Sequence, residues 1–221
     1  MNANATANNQ RALDFLSNGM KRINFVHLYS GLVIVLWLVS PLFSSAQSNP
    51  DKNGALMVQV DTLLGRGDYA GALPLLNKII EKSKLATDED YEALYKRAFC
   101  YYGLGRFEDA LTDVNDFLKK IPNDQARLLR AYINQELENY EAQLEDLNLF
   151  LAANPGNTDL LRWRASVFME TERYNDAKKD ITQLLGYQES PDLKSYLGLI
   201  HYYQEHPDSA LVVFDEVIAK N

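Results

Sequence analysis

The residues of this chain that could do chemistry are three histidines, one cysteine and a set of arginines and aspartates at a fixed spacing. His201 and His206 lie near the C-terminal end with no cysteine beside them and no His-Glu pair at metal-ligand spacing, so they do not read as a metal site. The third histidine, His27, falls in an apolar N-terminal stretch. Cys100 sits among Ala98, Phe99 and Tyr101 in a helical pattern, which reads as a small buried hydrophobe rather than a nucleophile. One cysteine also excludes an internal disulfide and any multi-cysteine metal site. No phosphate loop, nucleophile elbow or dinucleotide fingerprint is present. The expectation is therefore a chain that is not an enzyme, with no metal and no cofactor.

The regular feature is a pairing. Arg97 and Asp113, Arg130 and Asp146, and Arg164 and Asp180 each stand sixteen residues apart. A half-buried arginine needs a carboxylate partner, so these pairs predict a structural ladder rather than a ligand site. The elements that must position them repeat as well. "RAFCYYGLGRFEDALTDVNDFLKKIP" at 97–122 has apolar and small residues at three- and four-residue steps, a Leu-Gly-Arg-Phe interruption and a closing proline. Related segments occur at 67–80, 139–155, 173–185 and 206–218. Upstream of each second segment a small residue recurs at Ala98, Ala131, Ala165 and Gly198, spaced 33, 34 and 33 residues apart. The outer copies lack both members of the ladder, with Gln59 and Leu75 in the first and Leu197 and Val213 in the fifth.

A period near 34 with two helices per unit resembles the tetratricopeptide family. The second copy carries that resemblance at Leu94, Ala98, Tyr101, Gly105, Phe107, Ala110, Phe117 and Pro122. The third carries it at Ala131, Tyr140, Leu147, Phe150 and Pro155, although Gln143 stands where the family prefers Ala. Leu161, Ala165, Phe168, Tyr174 and Ala177 carry it in the fourth copy, and Gly198 and Ala210 in the fifth. The first copy has Val60 at the small position, with Gly67, Tyr69 and Ala72 in place. The resemblance implies an all-α fold, a right-handed α-solenoid of about five helix-turn-helix repeats over 53–221, in which each pair buries its apolar face by stacking. The longer spacing between the first two copies, "KSKLATDED" at 82–90, reads as a polar linker.

The N-terminal part is of another kind. Residues 1–19 are rich in Asn and Ala and read as a disordered or mis-assigned extension. From Met20, Lys21 and Arg22 form a basic region, Leu28 to Phe43 an apolar run, and Ser44-Ser45-Ala46 a small-residue cleavage site, so 20–46 reads as a signal peptide cut after Ala46. An uncleaved signal anchor, with the repeats outside the cytoplasm, is the alternative. Export to the periplasm or cell surface follows in either case. Removal of 1–46 would leave 19 basic and 29 acidic residues, a net charge of about −10. That charge, already −8 for the whole chain, disfavours nucleic acid and anionic lipid as partners.

In the tetratricopeptide family the first helix of each pair lines a concave groove. Carried over by position, the resemblance puts Tyr95, Phe99, Tyr102, Leu128, Tyr132, Gln135, Arg162, Met169 and Tyr202 in a partner-binding groove, with Asp61, Ser166 and Leu199 beside them. The basic and asparagine clamp of the chaperone-binding members is absent. An aromatic, nearly uncharged groove suits an extended peptide or a helix. The expected function is a protein-interaction scaffold or adaptor of the bacterial cell envelope. Two alternatives are a glycan-binding envelope protein using the tyrosines and an assembly subunit using its C-terminal end. For the latter, Leu211, Val212 and Val213 exceed what one side of a helix can hide, so this end is expected to dock on a second copy or a partner.

Overall fold

The computed structural model describes residues 52–219. The N-terminal extension at 1–19 and the signal segment at 20–46 lie outside these described residues. The fold is all-α, an array of helix-turn-helix repeats. Ten helices follow one another among the described residues: α1 (Lys52–Leu64), α2 (Tyr69–Ser83), α3 (Asp88–Gly103), α4 (Phe107–Lys120), α5 (Asp124–Glu136), α6 (Tyr140–Ala153), α7 (Thr158–Glu170), α8 (Tyr174–Tyr187), α9 (Pro191–Tyr203) and α10 (Pro207–Ala219). None is long and apolar enough to cross a membrane. The described chain divides into two compact units, residues 52–150 and 151–219.

Each hairpin is built around one sixteen-residue step. The small residue of the first helix and the residue sixteen positions on in the second are both buried: Val60 and Leu76, Ala98 and Val114, Ala131 and Leu147 in the first unit, Ala165 and Ile181 with Gly198 and Phe214 in the second. A small side chain at the crossing lets the two helix axes approach, and the larger partner fills the space left. Several helix starts are fixed by side chains. Thr87 and Asp90 form a reciprocal capping box at α3, and Asn123 and Asn157 accept the Ala126 and Leu160 N–H groups at α5 and α7. The polar linker is shorter than the sequence predicts. Lys82 and Ser83 complete α2, Asp88 opens α3, and the chain turns through Lys84 and Leu85, both left-handed at φ 53° and 55°. Pro122 and Pro155 each lie two residues beyond the ends of α4 and α6.

All five hairpin turns share one backbone motif. The residue seven positions after the small one is left-handed, at Gly67 and Gly105 (φ 71°), Glu138 and Glu172 (φ 57°) and Glu205 (φ 61°). The next N–H then returns to a carbonyl of the last helical turn, as from Arg106 to Tyr101 (2.8 Å) and Arg173 to Phe168 (2.7 Å). A β-carbon costs about 1–2 kcal/mol in this region, and the greater freedom of unfolded glycine offsets part of that. Glu172→Gly is thus expected to stabilise the chain by about 0.5–1 kcal/mol. A urea midpoint that does not rise would contradict this account of the turn.

Candidate functional site

The arginine ladder forms within each copy. Arg97 donates from Nε and Nη2 to Asp113 at 2.6 and 2.8 Å, Arg130 to Asp146 at 2.8 and 2.7 Å, and Arg164 to Asp180 at 2.8 and 2.7 Å. These are two-pronged contacts in which the carboxylate is the deeper member: the three aspartate side chains are 7, 0 and 4 % exposed against 20, 25 and 20 % for the arginines. The hydrogen bond to aspartate raises the pKa of Arg97 and Arg130 above the usual guanidinium value, with burial opposing. The third nitrogen does something the sequence reading missed. Arg97 Nη1 donates to Asn77 Oδ1 at 2.8 Å and Arg130 Nη1 to Asn115 Oδ1 at 3.0 Å, each in the preceding copy. One guanidinium thereby joins three helices. The signal was available, since Asn77 and Asn115 both stand two residues after the position of the ladder aspartate.

A second register runs beside the ladder and accounts for the histidines. Tyr101 lies between Arg97 and Arg106, whose guanidinium carbons are 5.8 and 4.3 Å from its ring centre, and Phe168 lies between Arg164 and Arg173 at 5.7 and 4.6 Å. In the third copy Asn134 and Asn139 occupy the same register and share a side-chain hydrogen bond of 3.4 Å. In the fifth, His201 and His206 take these two places, their rings edge to face at 6.5 Å. Burial, Lys178 and His206 together lower the His201 pKa, and the two rings form a packing contact at the hairpin turn. Among the described residues no three His, Cys, Asp or Glu side chains converge as a metal site. Cys100 is fully buried, and burial pushes its thiol up to about 12, far from a thiolate.

The groove positions separate into two classes. In the first unit Tyr95 and Phe99 are core residues, which corrects their assignment to a ligand-facing surface. Tyr95 is 6 % exposed with its ring 5.4 Å from Phe117, and Phe99 is 5 % exposed against the edge of Tyr69 at 5.7 Å. The reason is geometric: α3 packs on α2, α4 and α5, so more of its circumference is covered than a two-helix hairpin would cover. Burial pushes the Tyr95 phenol up to about 12. Tyr102, Leu128, Tyr132 and Gln135 remain half-buried, and Asp61 is exposed and paired with Lys96. Tyr102 packs 5.8 Å from Phe107, and burial with the charge of Glu136 raises its phenol to about 12. Gln143, the residue that departs from the family pattern, is fully buried and donates from Nε2 to Gln135 Oε1 at 3.3 Å.

In the second unit Arg162, Ser166 and Met169 line one cleft, while Leu199 is buried. Tyr202 is 46 % exposed and meets the edge of Tyr203, 43 % exposed, at 5.7 Å. At the last helix Val212 and Ile218 are 60 and 47 % exposed, whereas Leu211 and Val213 are half-buried. The expected apolar end is therefore centred on Val212.

Helical hairpins with a small residue at the crossing, a left-handed turn and a recurring interval of about 34 residues define a helical-repeat protein of the interaction type. The family model described as "Tetratricopeptide repeat" matches residues 63–133, a stretch that runs from the end of α1 into α5. Among solved structures, MamA from Desulfovibrio magneticus is similar at 20 % identity and TM-score 0.63, over 78 % of this chain and 96 % of that one. A tetratricopeptide repeat protein from Parabacteroides merdae is similar at 20 % identity and TM-score 0.63, over 76 % of this chain and 66 % of that one. The likeness to both is one of fold. Among characterised proteins, "DnaJ homolog subfamily C member 3" of Gallus gallus is 26 % identical over 157 residues, 71 % of this chain. The match spans only 27 % of that relative's length.

Proposed function

We propose that the chain is a protein-interaction scaffold of the bacterial cell envelope, exported by the segment at 20–46, which holds a partner's extended peptide or helix on the faces of its first helices. One observation carries this reading. At the groove positions of the first unit the core takes in Tyr95 and Phe99 but leaves Tyr102, Leu128 and Tyr132 half-buried on helices that also carry core residues. Apolar and aromatic side chains left partly in water on a rigid helical frame are what a docking segment covers.

The test compares capture from the envelope fraction by the parent processed chain and by Tyr102→Ala/Tyr132→Ala. The double variant is expected to lose at least tenfold in capture of a partner, with the helical circular-dichroism signal kept, because two partly exposed aromatic anchors are worth about 1–2 kcal/mol each in an interface. Capture unchanged by the double variant would move the binding surface elsewhere, and a glycan array that responded instead would favour the sugar-binding alternative. N-terminal sequencing of chain recovered from that fraction tests the export step, with Gln47 expected as the first residue. A second reading has its own observation, the exposure of Val212 and Ile218 on α10. It assigns assembly to that helix, and light scattering of Val212→Glu against the parent separates it from the groove.

A further inference from the structure

A repeat array builds one interface over and over, and its two end helices show the two halves of that interface uncovered. Where a hairpin precedes within the same unit, the residue five before the small one is fully buried, at Ala93, Ala126 and Leu193. The residue two after it is fully buried as well, at Cys100, Ile133 and Ile200. No hairpin precedes α1 among the described residues, and there the same two places, Ala55 and Thr62, are exposed. Between them Val58 is 66 % exposed, whereas its counterpart Leu129 is fully buried. Steps of three and four residues put Ala55, Val58 and Thr62 on one stripe of α1. The stripe carries no charge, and Thr62 donates its hydroxyl hydrogen to the Val58 carbonyl at 2.9 Å. An end face made for water would be polar.

The other half lies on α10. Twenty residues after the small one, every copy has an aliphatic side chain. Ile80, Leu118 and Leu185 are half-buried there, while Ile218 is 47 % exposed. Seventeen residues after the small one, Asn77 and Asn115 accept the Nη1 hydrogens of Arg97 and Arg130 in the next copy. Asp215 holds this acceptor's place on α10 and is exposed. The donor's place on α1 belongs to Gln59, which is exposed too. A donor is thus kept at one end of the array and an acceptor at the other, with an amide for the guanidinium and a carboxylate for the asparagine. Val212 stands outside this register. Its counterparts Pro74, Thr112, Glu145 and Lys179 are all exposed, so its place is turned to water in every copy.

We propose that α10 of one molecule docks on α1 of a second copy of this chain, continuing the interface that joins one hairpin to the next, with Ile218 on the stripe of Ala55, Val58 and Thr62 and the Gln59 amide donating to Asp215. This goes beyond assembly through Val212, because the two surfaces are named and they differ. Two unlike faces make a heterologous contact, which leaves a head and a tail free after each addition, so growth does not stop at a dimer. One helix pair is a small interface, and association over roughly 10 µM to 1 mM is expected.

The test is sedimentation of the processed chain over that range, beside a head variant, Val58→Glu/Thr62→Glu, and a tail variant, Ile218→Glu. All three positions are exposed, so the helical circular-dichroism signal should persist. The mass of the parent is expected to climb past that of a dimer. Each variant alone should associate at least about tenfold more weakly, since a buried unpaired carboxylate opposes the contact. An equimolar mixture of the two should form a 1:1 dimer and nothing larger, because one kind of intact head and one kind of intact tail remain. Gln59→Arg should tighten association about tenfold, the usual value of a charge-assisted hydrogen bond, and Asp215→Asn in the same chain should remove most of that gain. Val212→Glu should associate like the parent. A parent that stays monomeric, a head variant that associates as the parent does, a mixture without the dimer, or no gain from Gln59→Arg would overturn the proposal. So would loss of assembly in Val212→Glu. The Tyr102→Ala/Tyr132→Ala capture assay touches neither end helix, so failure of the joint and failure of the scaffold reading are distinguishable.

Discussion

Arg130→Ala is expected to destabilise the chain by about 3 kcal/mol, well above the loss from cutting an exposed ion pair, because it strands a carboxylate that has no access to water. Asp146 is 0 % exposed and receives both of its strong hydrogen bonds from Arg130. The variant also frees Asn115, the link to the preceding copy. The reciprocal change should cost less. In Asp146→Ala the orphaned group is a guanidinium whose side chain is 25 % exposed, so water recovers part of what the aspartate supplied, and a loss of about 1–2 kcal/mol follows. Replacing both partners at once, as Arg130→Met with Asp146→Leu, removes the desolvation cost along with the attraction and should return most of the stability. Urea unfolding followed by circular dichroism checks all three. Equal losses in the two single variants, or a double variant no better than the worse of them, would show that the ladder does not act through its buried carboxylate. If the double variant is as stable as the parent but unfolds less cooperatively, the retained use of the pair is to couple one copy to the next through asparagine.

The same contacts show how far a single sequence can be read. The repeat was legible because two independent periods agree: the interval of 33–34 residues between small residues, and the sixteen-residue step within each hairpin. The arginine–aspartate partners were legible for the same reason, since both are present in the three central copies and both absent from the outer ones. Asn77 and Asn115 escaped because their partner arginines lie in the next copy, 20 and 15 residues away, and no within-copy step connects them. The burial of two of the expected groove residues was not legible. Tyr95 and Phe99 sit where a family groove residue would sit, but position on a helix gives a direction and not the extent to which the next helix overlaps it. Packing on three neighbours closed that direction for both. The left-handed turns at Glu138, Glu172 and Glu205 were hidden for a different reason: glutamate carries no conformational signature, and the hairpin imposes the angle on it.

Gly198→Ala is expected to cost about 2 kcal/mol, although alanine is the better helix former by about 1 kcal/mol and stands at the same place in three other copies. The reason lies sixteen residues on. Where those copies have Val114, Leu147 and Ile181, the fifth has Phe214, which is 2 % exposed. A β-carbon at Gly198 would lie 2.5, 2.8 and 2.9 Å from three carbons of the Phe214 ring, inside any tolerable contact. The ring cannot move away freely, because it is packed among the buried Leu199 and Ala210. Glycine at 198 and phenylalanine at 214 are therefore one compensated pair, the small residue having shrunk by a methyl to admit a larger partner. Gly198→Ala combined with Phe214→Leu should restore the stability lost in the single variant and approach or exceed the parent, since it recreates the Ala131–Leu147 arrangement of the third copy and recovers helix propensity. Phe214→Leu alone should leave a void beside Gly198 and cost about 1 kcal/mol. A thermal midpoint for Gly198→Ala at or above that of the parent would mean that α10 shifts to accept the methyl. In that case the packing of this helix is looser than the buried ring implies, and its exposed Val212 face would be free to turn inward rather than meet a partner.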